Sequence, residues 1–85
     1  MFIDAQKKRS STFWAPGTKE LEDLKVGHFV KVCDNEERFW IEITKINKDK
    51  LEGRVDNDLV YTHPFKCDDI VKFEKRHIYD ITVIL

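Results

Sequence analysis

Three histidines and two cysteines are the residues of this chain that could hold a metal ion or act in catalysis: His28, His63, His77, Cys33 and Cys67. Zinc sites combine such residues at short spacings, Cys-x2-Cys or His-x3-His, and the sequence contains neither. No glycine-rich elbow or helix N-terminus accompanies either cysteine, so nothing lowers the pKa of a thiol to make it a nucleophile. The sequence therefore predicts no metal site and no cofactor.

Two acidic clusters, Asp56-Asn57-Asp58 and Asp68-Asp69, contain oxygen ligands of the kind that bind cations. Both lack the ligand spacing of an EF-hand loop. Aspartate and asparagine are also common in turns, because their side chains hydrogen-bond the local backbone. We interpret both clusters as turns and expect a protein that is not an enzyme.

Trp40 is the first candidate for a binding residue. Alternation along residues 38–46 places Phe39, Ile41 and Ile43 on one face and Trp40 on the other. An indole on a solvated face is a common anchor of protein interfaces. The predicted protein-docking residues are Trp40, Arg38, Glu42, Arg54, Phe13 and Trp14. In the alternative interpretation, Phe13, Trp14 and a helix cover Trp40 and form a satellite core.

A second possible function is the binding of single-stranded nucleic acid by basic and aromatic side chains on neighbouring strands. The residues concerned are Lys31, Arg38, Trp40, Arg54, Tyr61 and Lys72. Acidic residues such as Glu42 and Glu52 lie on the same strands and on the same face of the predicted sheet as these basic residues. Opposite charges across strands stabilise a sheet without any ligand.

One short phrase occurs twice and organises the rest of the chain. The copies are Lys25-Val26-Gly27-His28-Phe29-Val30-Lys31-Val32 and Lys66-Cys67-Asp68-Asp69-Ile70-Val71-Lys72-Phe73. Each copy is a polar turn followed by strand-forming residues, with two lysines and a valine in register. We interpret the repeated phrase as a recurrent way of starting a strand rather than as a sequence duplication.

Between the copies, residues 38–46 and 51–56 alternate with period two, and further strand-like runs cover residues 70–74 and 78–85. Thr18 is placed to cap a short helix over residues 19–24, with Leu21 and Leu24 on its buried side. The pattern predicts a mainly β fold: a small SH3-like barrel or roll of five to six mostly antiparallel strands with one short N-terminal helix. An open sheet with the helix packed on one face is the alternative.

The length of the chain limits it to one domain, and its balanced charges give it no strong overall electrostatic field. Its 85 residues carry 15 basic and 16 acidic side chains, a formal net charge of -1. We expect residues 1–12 to be a flexible lead-in and residues 13–85 a single compact β domain. Two cysteines are too few for a disulfide framework, and neither a signal peptide nor a membrane-spanning run is present, so we expect a cytoplasmic protein without membrane contact.

The C-terminal residues 81–85 (Ile81, Thr82, Val83, Ile84 and Leu85) are intensely strand-forming. Such a strand left on an open edge pairs readily with another chain. Self-association through these residues is therefore possible.

Several blocks in order resemble the bacterial family catalogued as domain of unknown function 2314. They are Phe13-Trp14-Ala15-Pro16, residues 24–32, Glu37-Arg38-Phe39-Trp40-Ile41-Glu42-Ile43, Gly53-Arg54-Val55-Asp56-Asn57-Asp58 and residues 69–78. The family's usual Gly-Asp turn is Gly27-His28 in the first copy and Asp68-Asp69 in the second. The resemblance implies a single compact bacterial domain and supplies no cofactor or catalytic residue. We therefore predict a small non-enzymatic binding module that docks on another protein.

Overall fold

The computed structural model describes residues 2–8 and 15–82. The strands in chain order are β1 (Phe29–Asp34), β2 (Glu37–Asn47), β3 (Lys50–Val55), β4 (Ile70–Glu74) and β5 (Asp80–Thr82). The helices within these ranges are α1 (Thr18–Glu22) and two 3₁₀ turns (Gln6–Lys8 and Lys75–His77). The strands form one sheet in the order β4-β3-β2-β1-β5, and every neighbouring pair is antiparallel. The predicted β class, antiparallel pairing and short helix are confirmed.

The alternation predicted for the middle strands is confirmed by their burial. Val30 and Val32 of β1 lie opposite Ile41 and Phe39 of β2, and all four side chains are buried on one face. The buried residues of this core are Leu21, Leu24, Val30, Val32, Phe39, Ile41, Ile43, Leu51, Val55, Val71, Phe73 and Ile78. Each large apolar side chain buried there contributes roughly 1.5–3 kcal/mol.

The two copies of the repeated phrase adopt the same backbone structure. In each copy the fourth residue donates its N–H to the carbonyl of the first residue at 3.1 Å. The third residue has a positive φ, 96° at Gly27 and 73° at Asp68, as a tight turn requires at that position. The fourth side chain, His28 or Asp69, accepts the N–H of the first residue at 3.2 or 3.0 Å. The same four-residue turn thus starts β1 and β4.

The sheet does not close into a barrel. Strands β4 and β5 are its edges, and within residues 2–8 and 15–82 neither pairs with a further strand. The barrel prediction is therefore wrong, and the open sheet describes these residues. The error arises in the last run, where His77 lies in a 3₁₀ turn instead of starting a strand, and where β5 pairs with β1 over three residues.

Helix α1 packs on the core face, and Leu21 and Leu24 are both buried there as their spacing predicted. The predicted cap is wrong, because Thr18 is itself the first helical residue and Gly17 occupies the capping position without a side-chain hydrogen bond. The helix ends at Glu22, before the predicted limit. Among the described residues, no helix has the length and apolar character that crossing a membrane requires.

Residues 2–8, which the sequence assigned to a lead-in, contact the body of the domain. The ring of Phe2 lies between 5.7 and 6.3 Å from four other aromatic rings. The N–H of Ile3 donates to the carbonyl of Cys33 at 3.0 Å, and that of Ala5 donates to the carbonyl of Arg76 at 2.8 Å. The packed domain therefore includes these residues, because Phe2 and Ile3 supply apolar side chains ahead of the polar run.

Candidate protein-docking site

Four of the predicted docking residues lie on the sheet face opposite the core: Arg38, Trp40, Glu42 and Arg54. The register places Lys31 directly opposite Trp40. Trp40 is half-buried, and the Lys31 ammonium lies 4.9 Å from the centre of its ring. Because this cation–π contact occupies one side of the indole, Trp40 offers only part of its surface to a partner.

A small second cluster covers part of the same face near β1. Its members are Ala5, Ala15, Cys33 and Tyr79, with Ile3 packed against them. The Arg38 guanidinium lies 4.8 Å from the centre of the Tyr79 ring. A satellite core therefore exists on this face, and its described members do not include Trp40. Phe13 and Trp14 lie outside the described residues.

Arg54 is held by three carboxylates of its own chain. Its guanidinium donates to Asp68 at 2.7 Å, to Asp56 at 2.9 Å and to Glu42 at 3.0 Å. These hydrogen bonds, led by the one to Glu42, raise the pKa of Arg54 above its already high ordinary value. The side chain is a cross-link between β2, β3 and the following loop, so its charge is already matched before any partner arrives.

The remaining residues of the predicted nucleic-acid surface are not brought together. Lys72 lies on β4 opposite Glu52, and β3 separates it from Trp40 on β2. Tyr61 belongs to the long connection between β3 and β4. The structure therefore joins Lys31 with Trp40 but distributes the other basic and aromatic residues over separate places.

The connection between β3 and β4 presents two neighbouring exposed apolar side chains, one of which, Val60, is the most exposed apolar side chain of the described residues. Val60 is 84% exposed and Tyr61 is 55% exposed. We call residues 59–62 the tip segment. Its backbone is fixed, because the Glu37 carboxylate accepts the N–H of Val60 at 2.9 Å and that of Tyr61 at 2.8 Å. The side chain of Asn35 also donates to the carbonyl of Thr62 at 2.8 Å.

A buried histidine completes the attachment of the tip segment. His63 Nδ1 lies 2.8 Å from an Asp34 oxygen, and its Nε2 lies 2.8 Å from a Glu37 oxygen. The imidazole has no exposed surface, whereas the Asp34 and Glu37 side chains are 12% and 14% exposed. The ring stacks on Phe65 at 5.3 Å. We call Asp34, Glu37 and His63 the clamp.

The geometry of the clamp assigns the charge of its histidine. An ionised carboxylate only accepts hydrogen bonds, so both ring nitrogens of His63 must donate, and the ring is the imidazolium. Burial opposes that charge, but the hydrogen bonds to Asp34 and Glu37 outweigh it and raise the pKa of His63. The Val60 N–H, the His63 ring and the Tyr61 N–H together lower the pKa of Glu37.

The described residues provide no reaction centre of the kinds considered from the sequence. Cys33 is buried, and burial together with neighbouring aspartates raises the pKa of the Cys67 thiol, which makes it a poorer nucleophile. Within the described ranges, no group of three or more histidine, cysteine, aspartate or glutamate residues is arranged to hold a metal ion.

Sequence reasoning missed Val60 and the clamp. One signal was available: Asp34 and Glu37 flank a two-residue turn, and a hairpin places such residues directly opposite each other. Two facing carboxylates on a core face require a cation. Nothing local to His63 shows that it is this cation, because 26 residues separate it from Glu37.

Comparison of the chain with models of known families, with curated proteins and with solved structures finds no match. The resemblance to the bacterial family of domain of unknown function 2314 therefore stays a prediction. The function has to be argued from the tip segment, the clamp and the outer face.

Proposed function

We propose that this chain is a small non-enzymatic module that docks on another protein through its tip segment. The supporting observation is that Val60 and Tyr61 are the two neighbouring apolar residues most open to water, while the Glu37 carboxylate fixes both backbone N–H groups. A loop already held in one conformation loses little entropy when it binds. Tyrosine is one of the residues enriched at interface hot spots, so Tyr61 is the expected anchor and Val60 adds apolar contact area.

The surroundings of the tip segment indicate the chemistry of the partner. Glu36 lines a shallow depression with Val60 and Tyr61, and Asp58 lines a second one next to Tyr61, together with Lys66. Both acids are exposed. The complementary surface is an apolar pocket with basic residues at its rim, because charge complementarity guides the approach of the two proteins.

The outer face around Trp40 is a second part of this proposal. Arg38, Glu42 and Arg54 surround the half-buried indole, and their charges are largely matched within the chain. Such a surface contributes rim contacts more readily than a hot spot. We expect the substitution Trp40→Ala to weaken docking less than loss of the tip side chains.

Binding of single-stranded nucleic acid is the alternative function, and the contact between Lys31 and Trp40 favours it. It is favoured only because the contact brings a basic and an aromatic side chain together. Two observations oppose it: a base stacking on that side of the indole would have to displace the Lys31 ammonium, and Arg54 is neutralised by three carboxylates. Nucleic-acid binding would weaken steeply with salt. A titration with mixed-sequence oligonucleotides at two salt concentrations separates it from protein docking.

The wider setting is part of the same proposal. A bacterial, cytoplasmic protein agrees with two cysteines that form no disulfide with each other, since disulfides form mainly in oxidising compartments. A roll of the SH3 type agrees with the antiparallel sheet and with recognition through loops at its end. Self-association through residues 81–85 is a further proposal, because β5 is an edge strand, and a molar mass measured in solution tests it.

The docking proposal is tested by affinity capture from bacterial lysate with a matched pair of double variants. One variant carries Val60→Ser and Tyr61→Ser, and the control carries Val26→Ser and Ile70→Ser at comparably exposed apolar positions. We expect a partner that is retained by the wild type and the control and reduced roughly tenfold or more by the tip variant. Thermal unfolding of all proteins verifies their folding. Equal capture by both variants would refute the tip segment as the docking site.

A further inference from the structure

A cavity of about 550 Å³ opens at the end of the sheet away from the tip segment. The tip segment is held by the first residue of β2, whereas the cavity is lined by its last residue, Asn47, and by Lys50 at the start of β3. Its accessible apolar lining is mainly the half-buried Phe2, because Leu51 and Phe73 are only 2% and 3% exposed. A volume within about 300–1,000 Å³ and an apolar floor are typical of ligand sites.

The rim of the cavity carries basic side chains that the chain neutralises only in part. Lys45 pairs with Glu52 at 3.9 Å, and Arg76 pairs with Glu74 at 3.2 Å. Lys50 and Lys72 also line the cavity, and neither forms a salt bridge or side-chain hydrogen bond with any described residue. Lys50 lies opposite Glu74 and Lys72 lies opposite Glu52, but both acids also pair with the other cations. Four basic groups thus share two carboxylates in the lining, and the rim keeps a net positive charge.

His77 adds a hydrogen-bond donor to the floor. Its Nδ1 accepts the backbone N–H of Glu74 at 3.0 Å, so a neutral ring carries its proton on Nε2. Burial, followed by the nearby Arg76, lowers the pKa of His77 and keeps the ring neutral. The residue is more than nine-tenths buried. No buried side-chain nitrogen or oxygen of the described residues lacks a hydrogen-bond partner, so Nε2, which bonds no described residue, keeps contact with the solvent of the cavity. An acceptor from a bound molecule would satisfy this donor.

We propose that this cavity binds an acidic peptide segment that carries an apolar side chain. The apolar group fits over Phe2, carboxylates fit near Lys50 and Lys72, and a carbonyl or carboxylate oxygen accepts from His77 Nε2. No glycine lines the cavity, so it lacks the close backbone approach that phosphate-binding loops use, and this favours a peptide carboxylate over a nucleotide. The site is separate from the tip segment and binds the opposite charge.

The probes that test this site are three fluorescein-labelled peptides of equal length. The first carries aspartates and glutamates around a central Phe-Leu pair, the second replaces each acid by lysine, and the third keeps the acids but replaces Phe-Leu by Ser-Ser. Fluorescence anisotropy measures their binding to the wild-type chain up to about 1 mM. We expect the first peptide to bind and the other two to bind at least roughly tenfold more weakly.

Charge-reversal variants locate the site. Lys50→Glu with Lys72→Glu should weaken the first peptide roughly tenfold or more, whereas Lys48→Glu, at an exposed turn residue outside the cavity, should change its affinity less than about twofold. Failure of the first peptide to bind, equal binding of the second or third peptide, or equal effects of the cavity and control variants would each overturn the proposal. Competition by adenosine monophosphate at the peptide's own concentration would also overturn it, in favour of phosphate recognition. None of these results depends on the tip segment.

Discussion

The clamp makes a prediction about stability that its geometry allows us to work out. In the variant His63→Phe, the new ring keeps the contacts with Phe39 and Phe65, whose ring centres lie 5.7 and 5.3 Å from the imidazole. The variant loses both N–H donors. Asp34 and Glu37 then face each other without the cation that now lies 2.8 Å from each.

The expected cost follows from the burial of the three groups. Removing one partner of a buried charge pair costs about 3–5 kcal/mol, because the remaining charge is left unpaired. The carboxylates of Asp34 and Glu37 keep some contact with water, so we expect a loss near about 3 kcal/mol at pH 6. For a domain of this size that loss lowers the melting temperature by roughly 12–24 °C.

The pH dependence has a definite sign. The raised pKa of His63 means that its stabilisation is complete below about pH 6.5, the ordinary value in an unfolded chain, and is lost as pH rises through the folded pKa. Glu37 acts in the opposite direction, since its lowered pKa gives stability that disappears as pH falls below about 4.3 and through the folded value. Burial lowers the pKa of His77, which costs stability below about pH 6.5 in both proteins.

Urea unfolding of the wild type and His63→Phe between pH 5 and pH 9 measures the effect. The contribution of His77 is common to both proteins, so the difference between the two profiles reports His63. We expect this difference to be largest near about pH 6 and to shrink at alkaline pH. A difference below about 1 kcal/mol, or one that stays constant up to pH 9, would show that the ring is not a buried cation.

Three other substitutions or treatments test the fold and the thiols. A Cβ added by Gly53→Ala would collide with the Ile41 side chain and come within 2.7 Å of a β2 carbonyl oxygen, so urea unfolding should show a loss of about 1–3 kcal/mol. Phe2→Ala removes a half-buried ring from the aromatic cluster, and we expect thermal unfolding to show about 2 kcal/mol of destabilisation. An unchanged melting temperature would show that residues 2–8 do not contribute to stability. The raised pKa of Cys67 predicts slow alkylation of its thiol by iodoacetamide at neutral pH. The alkylation rate should still increase with pH above the ordinary thiol pKa. A rate that becomes constant near pH 8 would contradict a raised pKa for this thiol.

The middle of the fold could be predicted from the sequence because its determinants are local. Period-two alternation assigns Val30, Val32, Ile41 and Leu51 to one face, and all are buried on that face. The repeated phrase predicted two strand starts, and the shared turn explains why it recurs. Asp68 adopts the left-handed conformation that glycine supplies in the first copy, at the expense of some backbone strain.

The candidate site could not be predicted in the same way, because it depends on contacts between distant segments. Trp40 was selected by strand parity, and parity does not reveal that Lys31 covers one side of its ring. Arg54 was assigned to a binding surface, yet Asp56 and Asp68 from the following loop hold it. The contact between Lys31 and Trp40 depends on side-chain placement across two paired strands, and the contacts of Arg54 depend on loop conformation. A one-dimensional pattern contains neither.

Both proposed sites belong to one rigid sheet, and this makes their independence testable. Strand β2 has 11 residues and reaches from the clamp to the cavity, a span of roughly 30 Å at about 3.3 Å per residue. Groups that far apart without shared partners contribute additively to binding. Under the two proposals, the tip at one end and the basic cavity at the other would hold two different partners at once, as in an adaptor. Saturation with the acidic peptide should leave capture of the tip-dependent partner unchanged, whereas competition between the two would mean that they share one surface.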